Sequence, residues 1–275
     1  MPLFKKMIPI LAVLLCFSTH ASLMLSPLRV VFNDQDRSQE ISLINSSNEE
    51  MVYRIEWVEQ QAAEGGGYKI LDKNNLPDYY KAASTFIRFS PRQVRLKPGE
   101  RQTVKLSARK PANLAKGEYR SHLLLKAIPK PPEQAAGLVM RAIVSYTLPI
   151  MIRHGEPSFD VSVTSASLAL DKTGTNGALT VMLNKKGDYS SIGNLVAYWK
   201  PTGSAKEIQI ARLNDLSIYR EVTQAKPTLQ WLGTTPIAKT NGALRIEYTG
   251  VKEYRNKKVL AEQIFQISSG DIKPM

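Results

Sequence analysis

Cysteine and histidine are scarce in this sequence. Its 275 residues include one cysteine, Cys16, and three histidines. One cysteine cannot form an intrachain disulfide, and a zinc site built from several cysteines is excluded as well. His122 and His154 lie about thirty residues apart with no second histidine at ligand spacing. Each is therefore interpreted as a structural or solvated side chain, and no metal site is predicted.

Signature motifs of catalysis are also absent. The sequence contains no G-x-S-x-G elbow, H-E-x-x-H motif, Walker loop or G-x-G-x-x-G fingerprint. Gly65-Gly66-Gly67 lacks the lysine and helix that follow in a phosphate-binding loop, so it is predicted to form a hairpin tip. Carboxylate pairs such as Glu49-Glu50 are interpreted as solvated charge. We therefore predict a protein that is not an enzyme and has no cofactor.

No apolar run near the N-terminus is long enough to cross a bilayer, which takes about 20 residues. The run Met7 to Phe17 follows Lys5 and Lys6 and precedes a small-residue cleavage site, Thr19-His20-Ala21. This pattern predicts a signal peptide over residues 1–21, export, and no membrane insertion of the mature chain. A lipoprotein signal using Cys16 is the alternative, but Leu15 stands before it where a small residue is needed. Cleavage would remove Cys16, so that side-chain packing must stabilise the mature protein without a disulfide.

Alternation of apolar and polar residues is the main pattern downstream of Ser22. Val104, Leu106 and Ala108, for example, alternate with Thr103, Lys105 and Ser107. Such runs are separated by turn compositions, including Lys97-Pro98-Gly99-Glu100 and the Asn-Gly pairs at 176–177 and 241–242, which are predicted to form tight hairpin turns with positive φ. The sequence therefore predicts an all-β protein made of antiparallel sandwiches.

The cluster Arg153-His154-Gly155-Glu156-Pro157 is predicted to separate two domains. It follows the longest apolar strand candidate, residues 138–152. We expect an N-terminal domain over residues 22–154 and a C-terminal β-sandwich over 155–275. Tyr119 lies at the start of a late strand, where immunoglobulin-like domains place a tyrosine corner; ordinary strand packing is the alternative.

The chain is basic, with a formal net charge of +13 that falls to +11 without residues 1–21. Such a surplus suits nucleic acid, anionic lipid or an acidic partner. Export argues against nucleic acid, and the interleaved basic and aromatic residues of an RNA-binding sheet are absent from the sequence. Six basic residues cluster between Arg88 and Lys105, where alternation places several on one exposed face.

The stretch Phe86 to Val104, FIRFSPRQVRLKPGERQTV, resembles the middle of the N-terminal domain of periplasmic pilus-assembly chaperones of the chaperone/usher pathway. Residues 28–32, 41–45 and 149–153 resemble other strands of that domain in the same order. The resemblance covers roughly residues 22–155. It implies two immunoglobulin-like domains arranged as an L with a cleft between them. It also implies a periplasmic location, with pilus subunits and an outer-membrane usher as partners.

The resemblance further implies donor-strand complementation, in which the chaperone lends a strand to a subunit that lacks one. We predict the donor segment at residues 138–144. Leu138, Met140, Ala142 and Val144 share one face, while the apolar Val139 and Ile143 on the other face suggest that both sides become buried.

In the family, an Arg on the first strand and a Lys on the last strand of the domain hold the terminal carboxylate of the subunit. Arg29 matches the Arg position, and a guanidinium is suited to a two-pronged grip on a carboxylate. Pro149 stands where the Lys is expected. Arg88 is our substitute for the second anchor, with a solvated Arg as the alternative.

Two other functions stay open at this point. A pilus subunit or secreted immunoglobulin-like adhesin should lack its own last strand and begin with a free donor arm, whereas this chain has a long internal strand candidate followed by a second domain. An enzyme with an unusual serine or carboxylate site would need a deep pocket lined by carboxylates with shifted pKa values.

Overall fold

The computed structural model describes residues 23–129, 143–233, 236–251 and 258–275. Within these ranges the chain forms strands and one short 3-10 helix, Ser269–Asp271, so the all-β prediction is confirmed. The predicted signal peptide lies outside the described residues.

The first eleven strands build two facing sheets and a separate hairpin. They are β1 Leu23–Ser26, β2 Val30–Phe32, β3 Ser38–Asn45, β4 Met51–Val58, β5 Gln60–Ala62, β6 Tyr68–Ile70, β7 Ile87–Ser90, β8 Gln93–Leu96, β9 Arg101–Ala108, β10 Gly117–Ile128 and β11 Tyr146–His154. One sheet has the order β1-β3-β9-β7 and the other β2-β11-β10-β4-β8, while β5 pairs with β6 alone.

Alternation along each strand produces the core between these two sheets. In β9, Val104, Leu106 and Ala108 are buried, whereas Lys105 and Ser107 are exposed. Each large apolar side chain buried in this way contributes about 1.5 to 3 kcal/mol as an upper estimate. The six basic residues from Arg88 to Lys105 are all exposed. Arg88, Arg101 and Lys105 lie on strands of one sheet, as the alternation predicts for several of the six, whereas Arg95 lies on the other sheet.

Tyr119, in β10, forms the contact that defines a tyrosine corner. Its hydroxyl donates to the backbone carbonyl of Ala115, four residues upstream, over 2.9 Å. The ring also packs edge-on against Phe86 with 5.5 Å between centroids. This hydrogen bond favours the tyrosine corner over ordinary strand packing.

The last nine strands form one continuous sheet that folds over on itself. They are β12 Asp160–Leu170, β13 Gly177–Lys186, β14 Ser191–Pro201, β15 Ile208–Ile218, β16 Gln224–Ala225, β17 Thr228–Trp231, β18 Gly242–Gly250, β19 Val259–Ile267 and β20 Lys273–Pro274. The order is β19-β18-β14-β15-β17-β13-β12-β20, with β16 beside β13. Since β12 and β19 approach each other, the two ends of the sheet face across a core that contains Trp199, Tyr248 and Leu183.

The two Asn-Gly pairs do not form the predicted turns. Gly177 and Gly242 each begin a strand and have no positive φ; in the first loop the left-handed residue is Gly174, at φ +71°. Both glycines are needed for a different reason, because a Cβ would lie 2.8 Å from the Trp231 ring at Gly177 and 2.6 Å from Trp199 at Gly242. Close approach of a tryptophan, not turn conformation, requires glycine here.

The long strand candidate at residues 138–152 is shorter in the structure. The strand begins at Tyr146, and residues 143–145 precede it without strand pairing. Residues 138–142 lie outside the described residues. At its other end the strand continues to His154.

Candidate functional site: a cleft between the two domains

Arg29 stands at the mouth of a cavity between the two sets of sheets. It directly precedes β2, whose three residues are buried and pair in parallel with residues 150–152 of β11. The cavity has a volume of about 730 Å³. Its lining comes from both parts of the chain: Pro27, Leu28, Arg29, Tyr68, Pro149, Leu213, Asn214, Asp215, Leu216, Ser217, Tyr219 and Val251.

The guanidinium of Arg29 binds two side chains across this cavity. Its Nη2 donates to Oδ1 of Asp215 over 2.7 Å, and its Nη1 donates to Oγ of Ser217 over 3.1 Å. The Arg29 side chain is 14% exposed and that of Asp215 is 61% exposed. Arg29 is therefore mostly sheltered by the cavity wall, while its acidic partner remains accessible to water.

One edge of β11 is open next to Arg29. On one side the whole strand pairs with β10, but on the other side β2 reaches only residues 150–152. Among the described residues, Thr147 and Leu148 thus have no strand partner on the β2 side. An open row of backbone groups of this kind is a template for another strand.

Pro149 lies between the open edge and the β2 pairing, and it lines the same cavity as Arg29. Among the described residues that line the cavity, Arg29 is the only basic one. At the position where the resemblance implies a Lys, the sequence has Pro149 instead.

Arg88 is not brought together with Arg29. It lies on the exposed face of β7, at the edge of the other sheet, opposite Ser107 of β9. It does not line the cavity that contains Arg29. The structure thus separates the two predicted anchor residues.

Of the predicted donor residues, Val144 alone is among the described residues; Leu138, Met140 and Ala142 lie outside them. Val144 is 49% exposed and its neighbour Ile143 is 54% exposed. Two neighbouring large apolar side chains are thus left in water immediately before the open edge of β11. Burial of such a pair against a partner would be favourable.

The hairpin β5–β6 closes one side of the cleft, a role that sequence reasoning missed. Gly66 and Gly67 at its tip have φ of +91° and +78°, so the prediction of a hairpin tip is confirmed. Tyr68 OH donates to Tyr219 OH over 3.1 Å. A second cavity, of about 430 Å³, lies between the hairpin and the segment from β15 to β16. Residues 68 and 219 lie too far apart in sequence for any local pattern to predict their contact.

Arg120 and Glu221 form a buried ion pair between the two domains, with side chains 4% and 10% exposed. The Arg120 guanidinium also lies 4.0 Å from the centroid of the Tyr219 ring, and the backbone N–H of Ala62 donates to Glu221 over 2.8 Å. Burial lowers the pKa of Arg120, but the hydrogen bonds and charge of Glu221 outweigh this effect and the pKa is raised. Arg120 therefore carries a buried positive charge, and Glu221 is its hydrogen-bond partner from the other domain.

A second buried cluster joins the domains near residue 155. Arg153 Nε donates to Glu118 over 3.1 Å, and Glu118 also accepts from the backbone N–H of Ser190 over 3.1 Å. The side chains of Arg153 and Glu118 are 2% and 0% exposed. Because a buried charge without its partner is costly, these contacts favour one relative position of the domains.

The two histidines have structural surroundings. His122 is buried, and burial together with the charge of Arg120 lowers its pKa to about 3. His154 Nδ1 lies 2.6 Å from Asp34 Oδ1 near the surface. Across the described ranges, no group of three potential metal ligands comes together. No helix within those ranges is long and apolar enough to span a membrane.

Comparisons with known proteins give one family match and several similar structures. The family described as pili and flagellar-assembly chaperone, PapD N-terminal domain, matches residues 22–155. No match was found among curated protein sequences.

The similar solved structures include the YadV chaperone, at 12% identity over 90% of this chain and 100% of that chain, with a TM-score of 0.43. The CsuC–CsuE complex from archaic chaperone-usher Csu pili of Acinetobacter baumannii matches at 12% identity, over 93% and 100% of the two chains, with a TM-score of 0.42. The SafA pilin complex with the SafB chaperone of Salmonella enterica matches at 13% identity, over 90% and 96%, with a TM-score of 0.43.

Proposed function

Residues 22–155 of this chain belong to the PapD N-terminal domain family of pili and flagellar-assembly chaperones, and on that premise we propose that the protein is a periplasmic chaperone. It binds pilus subunits by lending them a strand, prevents their aggregation and delivers them to an outer-membrane usher. The domain division at residues 154 and 155, the signal peptide at 1–21 and the lack of catalytic activity are parts of this proposal.

The observation that carries the proposal is the position of Arg29 at the end of the open edge of β11. A subunit strand added beside Thr147 and Leu148 would continue the row that β2 occupies. If it ran parallel to β11, as β2 does, its C-terminal end would arrive at Arg29. A terminal carboxylate would then meet a guanidinium, which is its preferred partner in proteins.

Binding of this kind combines general and specific interactions. The backbone groups of the β11 edge would supply hydrogen bonds of about 0.5 to 1.5 kcal/mol each, whatever the subunit sequence. Val144 and the donor residues Leu138, Met140 and Ala142 would fill the groove that the missing strand leaves in the subunit. Covering this groove and edge removes the surfaces through which subunits would aggregate.

Co-expression with a candidate subunit from a neighbouring gene tests the proposal. We expect the subunit to be recovered as a soluble, protease-resistant complex only when the chaperone is present. Arg29→Ala should strongly reduce recovery, because loss of one partner in a desolvated charge pair costs about 2 to 5 kcal/mol. A subunit that is equally soluble and protease-resistant by itself would refute a chaperone role.

Arg88→Ala is the matched control, since it removes the same charge from the exposed face of β7. We expect normal recovery with this variant. If recovery instead falls to the level of Arg29→Ala, Arg88 is the second anchor despite its distance from the cavity. The melting temperature of each free variant should stay close to that of the wild type, because Arg88 lies on an exposed face and the 61% exposed Asp215 can be hydrated when Arg29 is removed.

A further inference from the structure

The proposed anchor is already engaged in the free protein. Both terminal nitrogens of Arg29 donate to acceptors on the C-terminal domain, Nη2 to the Asp215 carboxylate and Nη1 to the Ser217 hydroxyl. These are the donors that a two-pronged grip on a carboxylate uses. An incoming carboxylate therefore has to compete with an internal one.

The backbone at Asp215 is shaped to present this carboxylate. Asp215 has φ +56°, and it is the only non-glycine residue with positive φ in the part of the chain that the structure describes. The β14–β15 register shifts here, between Gly193–Leu195 on one strand and Leu216–Leu213 on the other, which is the mark of a β-bulge. The Asp215 N–H donates to the Asn194 side chain over 3.1 Å and so holds the bulge.

The bulge and the left-handed conformation together orient the Asp215 side chain. Bulges reorient side chains, and aspartate is one of the few non-glycine residues that adopt the left-handed region readily. Here the result of this conformation is that an acidic side chain reaches across the cleft to Arg29. The same side chain is 61% exposed, so it can leave Arg29 and be hydrated with little cost.

We propose that Asp215 occupies the carboxylate position of Arg29 in the free chaperone and that the terminal carboxylate of a subunit binds by displacing it. Asp215 is thus an affinity-determining residue that masks the anchor until a subunit arrives. This inference rests on the proposed role of Arg29. It adds that Asp215 lowers the affinity of the cleft for a subunit. The incoming carboxylate must break the contact between Arg29 and Asp215, and the negative charge of Asp215 then stays close to it.

Asp215→Asn is the variant that isolates this effect. Asparagine tolerates the left-handed conformation, so the bulge is preserved while the charge is removed. Asp160→Asn is the matched control, because Asp160 is an exposed acid on the same domain that does not line the cavity. Asp215→Gly, which also accommodates positive φ, provides a second variant if the asparagine form folds poorly.

Competition for a limiting amount of subunit measures the effect. The urea-denatured subunit is diluted into an equimolar mixture of wild-type and variant chaperone carrying different tags, and the subunit captured by each is quantified. We expect Asp215→Asn to capture on the order of fivefold more subunit than the wild type, and Asp160→Asn to capture an equal amount. An equal or smaller share for Asp215→Asn would overturn the inference.

A double-mutant cycle separates this inference from the proposed function. In an Arg29→Ala background, Asp215→Asn should give no gain, because there is no anchor left to unmask. A gain that persists without Arg29 would show a general charge effect and overturn the inference. If Arg29→Ala captures as much subunit as the wild type, the anchor role of Arg29 is refuted. If Arg29→Ala captures little subunit and Asp215→Asn captures no more than the wild type, the anchor role stands and the masking by Asp215 is refuted.

Discussion

Glu221, in the C-terminal domain, holds the buried guanidinium of Arg120, in the N-terminal domain, and almost no water reaches either side chain. Arg120 lies 4.0 Å from the centroid of the Tyr219 ring, and Glu221 accepts from the backbone N–H of Ala62 in β5. Because Tyr219 also lines the cavity that contains Arg29, this buried ion pair adjoins the cleft.

Glu221→Gln should destabilise the protein by about 3 to 5 kcal/mol, because it leaves the buried charge of Arg120 without its counterion. Urea denaturation at neutral pH measures the free energy of unfolding. Glu50→Gln is the control: its partner Arg95 is 66% exposed, and we expect a loss within about 1 kcal/mol. Equal losses for the two variants would mean that water reaches Arg120 in solution.

Val144→Asp should prevent subunit capture while leaving the free chaperone stable. Val144 is 49% exposed, so the substitution disturbs no core and should change the free energy of unfolding by no more than about 0.5 kcal/mol. In the complex, however, a carboxylate would enter an apolar groove, which is strongly unfavourable.

Val259→Asp provides the comparison for that experiment, since Val259 is 51% exposed on the C-terminal domain. Subunit recovery in co-expression should be lost with Val144→Asp and retained with Val259→Asp. Normal recovery with both variants would show that the donor segment does not extend to residue 144.

His122 should make stability depend on pH in mildly acidic solution. Burial and the charge of Arg120 lower its pKa to about 3, below the ordinary value of about 6.5 in the unfolded chain. Between these values the unfolded state binds the proton and the folded state does not. Stability is therefore complete above about pH 6.5 and falls as the pH drops toward 3, by up to roughly 1.4 kcal/mol per pH unit.

His122→Phe removes this titration and keeps an aromatic ring against Tyr68, which lies 5.0 Å away between centroids. Urea midpoints between pH 4 and pH 7 should vary less in the variant than in the wild type. Parallel pH profiles for the two proteins would show that His122 gains a proton without cost in the folded state.

Gly242→Ala should destabilise the C-terminal domain by about 1 to 3 kcal/mol, the usual cost of overpacking. The added Cβ would lie 2.6 Å from the buried Trp199 ring and 2.7 Å from the Lys200 carbonyl oxygen. At Gly65 a Cβ would meet nothing within 4 Å, so Gly65→Ala is the control and should be neutral. Thermal unfolding of both variants tests this prediction. Equal melting temperatures for Gly242→Ala and Gly65→Ala would contradict the close approach of Trp199 to residue 242.

Local patterns were sufficient to predict the strands because a sheet repeats every two residues. Val104, Leu106 and Lys105 take the faces that their alternation predicts. Arg88, Arg95 and Lys105, which lie in three different strands, are exposed for the same reason. The Asn-Gly turns were predicted wrongly because an approaching tryptophan, which no local pattern reveals, decides the need for glycine at residues 177 and 242.

The all-β class, the lack of an intrachain disulfide and the resemblance that points to Arg29 all follow from the amino-acid sequence. The contact of Arg29 with Asp215, 186 residues away, and the position of Arg88 on a different sheet follow from the way in which the strands pack. The alternation of residues along a strand predicts which face of the sheet a side chain occupies. It does not predict a contact between domains, because that contact depends on how the sheets of the two domains pack against each other. In the sequence Asp215 has no feature that separates it from other surface acids, and the bulge in β15 orients it toward Arg29.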